Sequence, residues 1–466
     1  MLFSSVTFLF IFLPIIVCIY YLLPQKFHNI FLLFASIIFY ALGEPKYLFI
    51  MFWIILVNYV GALFISKYEH RAKFWLIITL IINIATLTYF KYFNFIIETL
   101  NNALQTEFSL WNITLPLGIS FYTFQAISYS VDVYRKLVKP QKNLYKLALY
   151  ICLFPQLIAG PIVKYHDIEN QIENRNTTID EFYNGLRRFI IGLAKKVLVA
   201  NVLGGIVDNI FELAPTDFNT GIAWFGAIIF ALQFYFDFSS YADMAIGLGH
   251  LFGFTITENF NYPYISKSMS ETWHRWHISL ATWFKDYLYI PLGGSRKGEL
   301  RKNLNILIVF ILMGAWHGAA WTYIISGIYN GFLLVFENIT KIYKEKPGFF
   351  YNLFKRIYTL IAIILGVLFF RTKTLAYSKD YICNMFGLLK TNNTNYNIFN
   401  YINNVEIIII IIAILCAASL FKNMLKWGNN NKFIRIIVDI WLFILLILSI
   451  MQIAASTYQP FIYFRF

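Results

Sequence analysis

From one end of this chain to the other, apolar runs alternate with short polar or basic connectors. A helical run of about 20 apolar residues is long enough to cross the hydrocarbon of a bilayer. No long hydrophilic block interrupts the series. Composition agrees: 59% of residues are hydrophobic and 13% charged, with a mean hydropathy of +0.61. Soluble domains run at about half apolar and a quarter charged. The expectation is an all-α polytopic membrane protein, with residues 1–466 forming a single integral membrane domain.

By length, spans fall at about Phe3–Leu23 (kinked at Pro14), Tyr47–Ile65, Phe74–Phe90, Leu115–Tyr134, Asn219–Phe238, Leu304–Ile325, Ile357–Phe370, Glu406–Leu420 and Ile434–Ala454. Shorter apolar pieces lie at Ile30–Leu42 and Gly327–Ile339. This gives about 11 transmembrane helices. Re-entrant and interfacial helices come in addition. The run Leu144–Ile162 ends in Phe154–Pro161, with two prolines and a glycine, and reads as a re-entrant turn. The segment Phe182–Leu203 carries Arg187, Arg188, Lys195 and Lys196 and reads as interfacial or tilted. Asp237 and Asp243 are expected to pair with those cations.

The formal charge of +14 sits mostly in short loops, which is how orientation by positive charge looks, so no nucleic-acid partner is inferred. Lys67–Lys73 is basic, whereas the Phe93–Ile113 loop carries Glu98 and Glu107 and no cation. With basic loops inside, the N-terminus lies outside a plasma membrane and membrane lipids surround the chain. Met1–Leu23 lacks a basic start and a small-residue cleavage site, so it is expected to stay as a span.

The segment Met313–Trp321 concentrates the chemistry. His317 is its one ionisable group, bracketed by Trp316 and Trp321. Gly314 and Gly318, and Ala315 and Ala319, recur at helical spacing and would admit a second backbone. An intramembrane histidine is either a functional group or a neutral imidazole bonded to a neighbouring helix. A second segment, Glu271–Leu280, places His274 and His277 three apart and Trp273 four from His277, which on a helix share a face. His277 and His317 lie about 40 positions apart on consecutive elements and can meet in one cavity.

No HExxH pattern, GxSxG elbow or Walker glycine motif occurs. The four cysteines have no metal spacing and read as packing thiols, so no metal site is expected. An imidazole neutral near pH 7 can take the proton of a hydroxyl as it attacks a carbonyl. Acyl transfer to an alcohol therefore fits the inventory.

These two histidine segments resemble those of membrane-bound O-acyltransferases. Tyr89–Phe95, Leu115–Gln125, Phe154–Pro161, Phe236–Asp243 and Phe461–Phe464 resemble the bacterial branch that contains the alginate O-acetyltransferase membrane subunit. The resemblance covers nearly the whole chain. It implies a helical fold around a central funnel, and an acyl group passed from a cytoplasmic donor to an acceptor across the membrane. The family's essential histidine carries over to His317, as general base or acceptor-orienting group. The family's second polar position carries over to His277, to hold the donor carbonyl or tune His317. His274 departs from the arginine usual there and receives no catalytic role. Trp273, Trp276, Trp316 and Trp321 would line and dry the funnel.

The resemblance further implies no bound cofactor, an acyl co-substrate such as acetyl-CoA or an acyl carrier, an extracytoplasmic SGNH-hydrolase-like partner, and a secreted or cell-wall polysaccharide as acceptor. The basic loop Arg296–Lys302 would attract an acidic donor or simply anchor the chain. Two other functions stay open: D-alanyl transfer to teichoic acid, and polysaccharide or lipid transport without chemistry.

Overall fold

The computed structural model describes the chain except residues 343, 345–347, 392–396, 421–431, 457 and 459–466. The Phe461–Phe464 ending thus lies outside the described residues. The rest is helical, with no strand among the described residues. Among the described residues, six helices are long and apolar enough to cross a membrane: Pro45–Lys67, Glu69–Leu104, Ile179–Phe211, Thr220–Leu251, Phe349–Leu368 and Lys432–Ala455. Two shorter apolar helices, Phe8–Leu22 and Asn404–Ala417, join them. This is a multi-pass membrane architecture; the six long helices do not by themselves confirm the expected count of about eleven.

The chain divides into two compact units, one of residues 1–189 and 242–257, the other of residues 190–241 and 258–466. The first holds α1 (Leu13–Leu22), α2 (His28–Ala41), α3 (Leu48–Lys67), α4 (Ala72–Leu104), α5 (Ile119–Tyr134), α6 (Leu144–Cys152), α7 (Phe154–Leu157), α8 (Tyr165–Glu173) and most of α9 (Ile179–Ala194). Ahead of α1 the chain runs as a π-turn over Phe8–Phe12, and Pro14 sits in the first turn of α1. Proline cannot donate back to the preceding turn, and a π-turn accommodates that loss locally.

Helices α3, α4 and α5 pack on one another. Between them Asn58 Nδ2 donates to Asn83 Oδ1 at 2.9 Å, and Ser130 Oγ donates to Asn58 Oδ1 at 2.7 Å. In an apolar bundle such side-chain bonds are worth about 0.6–2 kcal/mol each and fix register. Arg175 is buried against the ring of Phe254 at 4.4 Å and donates to the Phe252 carbonyl at 3.0 Å. The irregular stretch after α7 is buried throughout, the condition under which broken backbone survives at membrane depth. His166 sits on α8 with Nδ1 2.8 Å from Asp132 Oδ2. That bond raises its imidazole above the ordinary value.

The second unit holds α10 (Asn201–Phe211), the first two-thirds of α11 (Thr220–Leu251), α12 (Met269–Arg275), α13 (Ile278–Phe284), α14 (Glu299–His317), α15 (Trp321–Thr340), α16 (Phe349–Leu368), α17 (Leu375–Met385), α18 (Asn404–Ala417) and α19 (Lys432–Ala455). The segment expected to be interfacial is different in kind. α9 passes through a π-segment, Lys195–Ala200, directly into α10, making one helix of spanning length. Two of its cations, Arg188 and Lys196, are paired with aspartates and so do not force it to the surface. Arg188 bonds Asp243 at 2.6 Å within the first unit. Lys196 bonds Asp237 at 2.5 Å within the second, both side chains 2% exposed. The pairing expected for both aspartates is thus observed.

Candidate active site

Two chain breaks build the site, and each occurs where the sequence suggests continuous helix. The expected span Leu304–Ile325 is interrupted: α14 ends at His317, Gly318–Ala320 are extended or irregular, and α15 starts at Trp321. α14 and α15 then pack closely along their length as an antiparallel pair. Glycines make this possible. A Cβ on Gly314 would lie 2.4 Å from the Tyr323 carbonyl oxygen, and one on Gly327 would lie 2.3 Å from the Phe310 carbonyl oxygen. The close approach read from small-residue spacing is real at Gly314, but its partner is Gly327. Gly318 lies past the helix end against the Tyr323 ring. A Gly327→Ala substitution is expected to cost about 1–3 kcal/mol through overpacking, read as a lower thermal midpoint of the purified protein.

The second break separates α12 from α13. Trp276 is extended and His277 adopts φ 45°, ψ 51°, a left-handed conformation uncommon outside glycine. His274 and His277 therefore do not share a helical face. His274 is exposed, while His277 is fully buried. The turn is held by a short antiparallel contact in which Ile278 N donates to the Asn259 carbonyl at 3.0 Å and Asn261 N donates to the Arg275 carbonyl at 2.9 Å.

α12 is anchored from its other end by an acid absent from the expected site. Glu337, buried in α15, accepts from Met269 N at 2.6 Å and Ser270 N at 2.9 Å. Ser268 Oγ accepts from Glu271 N at 3.0 Å, completing the cap. A carboxylate on unsatisfied N-terminal donors is a charge-assisted bond. Glu337→Gln keeps the shape but turns one acceptor into a donor facing a donor. It is expected to destabilise by about 1–3 kcal/mol in a denaturation assay.

The two histidines meet. Their ring centroids are 6.3 Å apart. His317, buried at the end of α14, has Phe370 at 5.1 Å edge-on, and His277 has Phe238 at 4.6 Å edge-on. His317 opens onto a cavity of about 60 Å³. Its walls are mainly apolar, with Phe234, Phe238, Phe310, Met313 and Phe370 among them, and its few polar side chains include Thr272, Ser326 and Asn330. The expected tryptophans divide. Trp273 and Trp276 line the cavity, Trp276 being stacked on Phe234 at 5.3 Å. Trp316 lies beside the histidines, its ring 6.1 Å from His277, but not on the wall. Trp321, as the first residue of α15, is 48% exposed and lies off the cavity, because the break at Gly318–Ala320 turns it away.

The arrangement sets a buried imidazole beside an apolar chamber with few competing polar groups, surroundings in which an imidazole can exchange a proton with a hydroxyl. Sequence reasoning missed Glu337, Asn259 and Phe370. Glu337 had a legible signal, an acid inside an apolar helix. Asn259 had none.

Comparison with known proteins places the chain among its relatives. Residues 62–372 match the model of the membrane-bound O-acyltransferase family. The chain is 38% identical to the probable alginate O-acetylase AlgI of Pseudomonas putida across the full length of both. It is 35% identical to the peptidoglycan O-acetyltransferase of Helicobacter pylori, covering 83% of this chain and 80% of that one. It is 30% identical to the teichoic acid D-alanyltransferase of Bacillus subtilis, over 54% of this chain and 66% of that one. The buried histidine pair thus sits within a chain that belongs to the membrane-bound O-acyltransferase family.

Proposed function

We propose that this protein acetylates hydroxyls of a secreted or cell-wall polysaccharide, drawing the acyl group from a cytoplasmic thioester such as acetyl-CoA or an acyl carrier. The observation that carries the reading is His317 on the wall of a small apolar cavity, with His277 buried beside it. In the proposed step the acceptor oxygen attacks the acyl carbon while His317 takes the hydroxyl proton. The C–O bond forms, the C–S bond breaks, and the proton passes to the leaving thiolate. Positive charge arising on His317 lies at the C-terminal end of α14, where the last helical carbonyls favour a cation. His277 tunes His317 or holds the donor.

The names of the alginate and peptidoglycan O-acetylating relatives, and their coverage of this chain, support acetyl and polysaccharide over D-alanyl and teichoic acid. We further propose a plasma-membrane location with the N-terminus outside, residues 1–466 working as one catalytic domain, and an SGNH-hydrolase-like partner that completes transfer. The test follows acetyl on the polymer and polymer export together, in cells carrying unaltered protein or His317→Ala. Loss of acetyl with normal export supports the reading. Loss of export with acetylation of the residual polymer unchanged supports transport without chemistry.

A further inference from the structure

A single buried amide fixes which nitrogen of His277 carries its proton. Asn259 is fully buried, and its Oδ1 faces three groups: Ser279 N at 3.1 Å, Ser279 Oγ at 2.9 Å and His277 Nδ1 at 3.3 Å. A backbone N–H can only donate, so the atom bonded to Ser279 N is the acceptor end of the amide. An amide oxygen has no proton to give. His277 Nδ1 therefore bears the hydrogen, and in the neutral ring Nε2 carries the lone pair. The same residue holds the left-handed turn through its carbonyl, which accepts from Ile278 N at 3.0 Å. The ring contact at His277 and one of the two backbone bonds that hold its turn thus come from the same residue.

We propose that Asn259 is a positioning residue which locks His277 as the Nδ1–H tautomer, so that His277 serves the reaction as a hydrogen-bond acceptor and not as a donor to the acyl carbonyl. This rests on the proposed acyl transfer, and it decides between the two roles open to His277. A neutral ring with its only proton turned toward Asn259 cannot polarise a carbonyl through Nε2. It can accept from the His317 ring or from the acceptor hydroxyl. Outer partners of this kind set tautomer and orientation, and their loss typically reduces activity by about 10- to 100-fold where they act on metal-bound histidines.

The test uses full-length protein labelled with ¹⁵N-histidine in lipid nanodiscs, with the His277→Gln spectrum identifying the His277 ring signals. The expected spectrum has a protonated Nδ1 and an unprotonated Nε2. Asn259→Asp, which keeps an acceptor at the same place, retains that pattern, and Asn259→Leu converts the ring to the Nε2–H form. An Nε2–H signal in the unaltered protein, or an Nδ1–H signal surviving in Asn259→Leu, overturns the proposal. In turnover assays Asn259→Leu should lower kcat about 10-fold or more with little change in KM. Added to His277→Gln it should lower kcat by less than about 2-fold, since effects acting through one residue do not add. A full additional loss in that background overturns the proposal as well. Persistent acetyl transfer by His317→Ala would sink the reaction itself, and the tautomer would still be judged by its spectrum.

Discussion

His317→Ala is expected to lower acetyl transfer by about 10²- to 10⁴-fold, the usual span for a lost general acid–base group. The truncation leaves the hairpin between α14 and α15 intact, because its contacts run through Gly314 and Gly327, not through the imidazole. Protein level and thermal midpoint should therefore stay close to those of the unaltered protein, and the loss should fall on kcat. His317→Gln keeps polarity and approximate size but cannot take up a proton near neutral pH. It should be nearly as inactive as alanine. A glutamine variant within about 2-fold of normal would mean that His317 orients the acceptor without accepting its proton. An active alanine variant would remove the residue from the reaction altogether.

The second large effect concerns stability. Lys196 and Asp237 are both 2% exposed and bonded at 2.5 Å in the second unit. Removing one partner of such a pair leaves a buried charge, at a cost of about 3–5 kcal/mol. Lys196→Met or Asp237→Leu alone should lower expression and the thermal midpoint in mild detergent. The double substitution should recover much of the loss, because neither charge remains to be compensated. Single variants as stable as the unaltered protein, or a double variant worse than either, would show that the pair is not what holds α10 and α11 in place.

The sequence carried the membrane class, the family and the two histidine segments plainly. It also carried the pairing of Asp237 and Asp243, since charges inside apolar helices need partners. Continuity was misread. Hydropathy is averaged over a window, so it ran straight across Gly318–Ala320 and placed Trp321 next to His317 in space. The break turns that ring away from the chamber. Helical spacing likewise joined His274 to His277, although the chain changes hand at His277. Such a conformation in a non-glycine residue is imposed by tertiary bonds, here from Asn259 and Asn261, which lie far outside any local window. Arg188 and Lys196 looked interfacial for the same reason: their partners, Asp243 and Asp237, are distant in sequence.

One helix described above also acts as a ruler. α4 has 33 residues and so extends about 50 Å, against about 30 Å of hydrocarbon in a bilayer. Its apolar first half uses nearly all of that thickness. The second half, from Lys91 onward, is braced by its own return segment: Asn94 exchanges bonds with the backbone of Trp111 at 2.8 and 3.1 Å, and Asn101 with that of Phe108 at 2.9 Å in both directions. Two asparagines thus tie the second half of α4, about 20 Å long, to the segment that follows it, so the helix exceeds the hydrocarbon thickness without its C-terminal part being left as a bare rod.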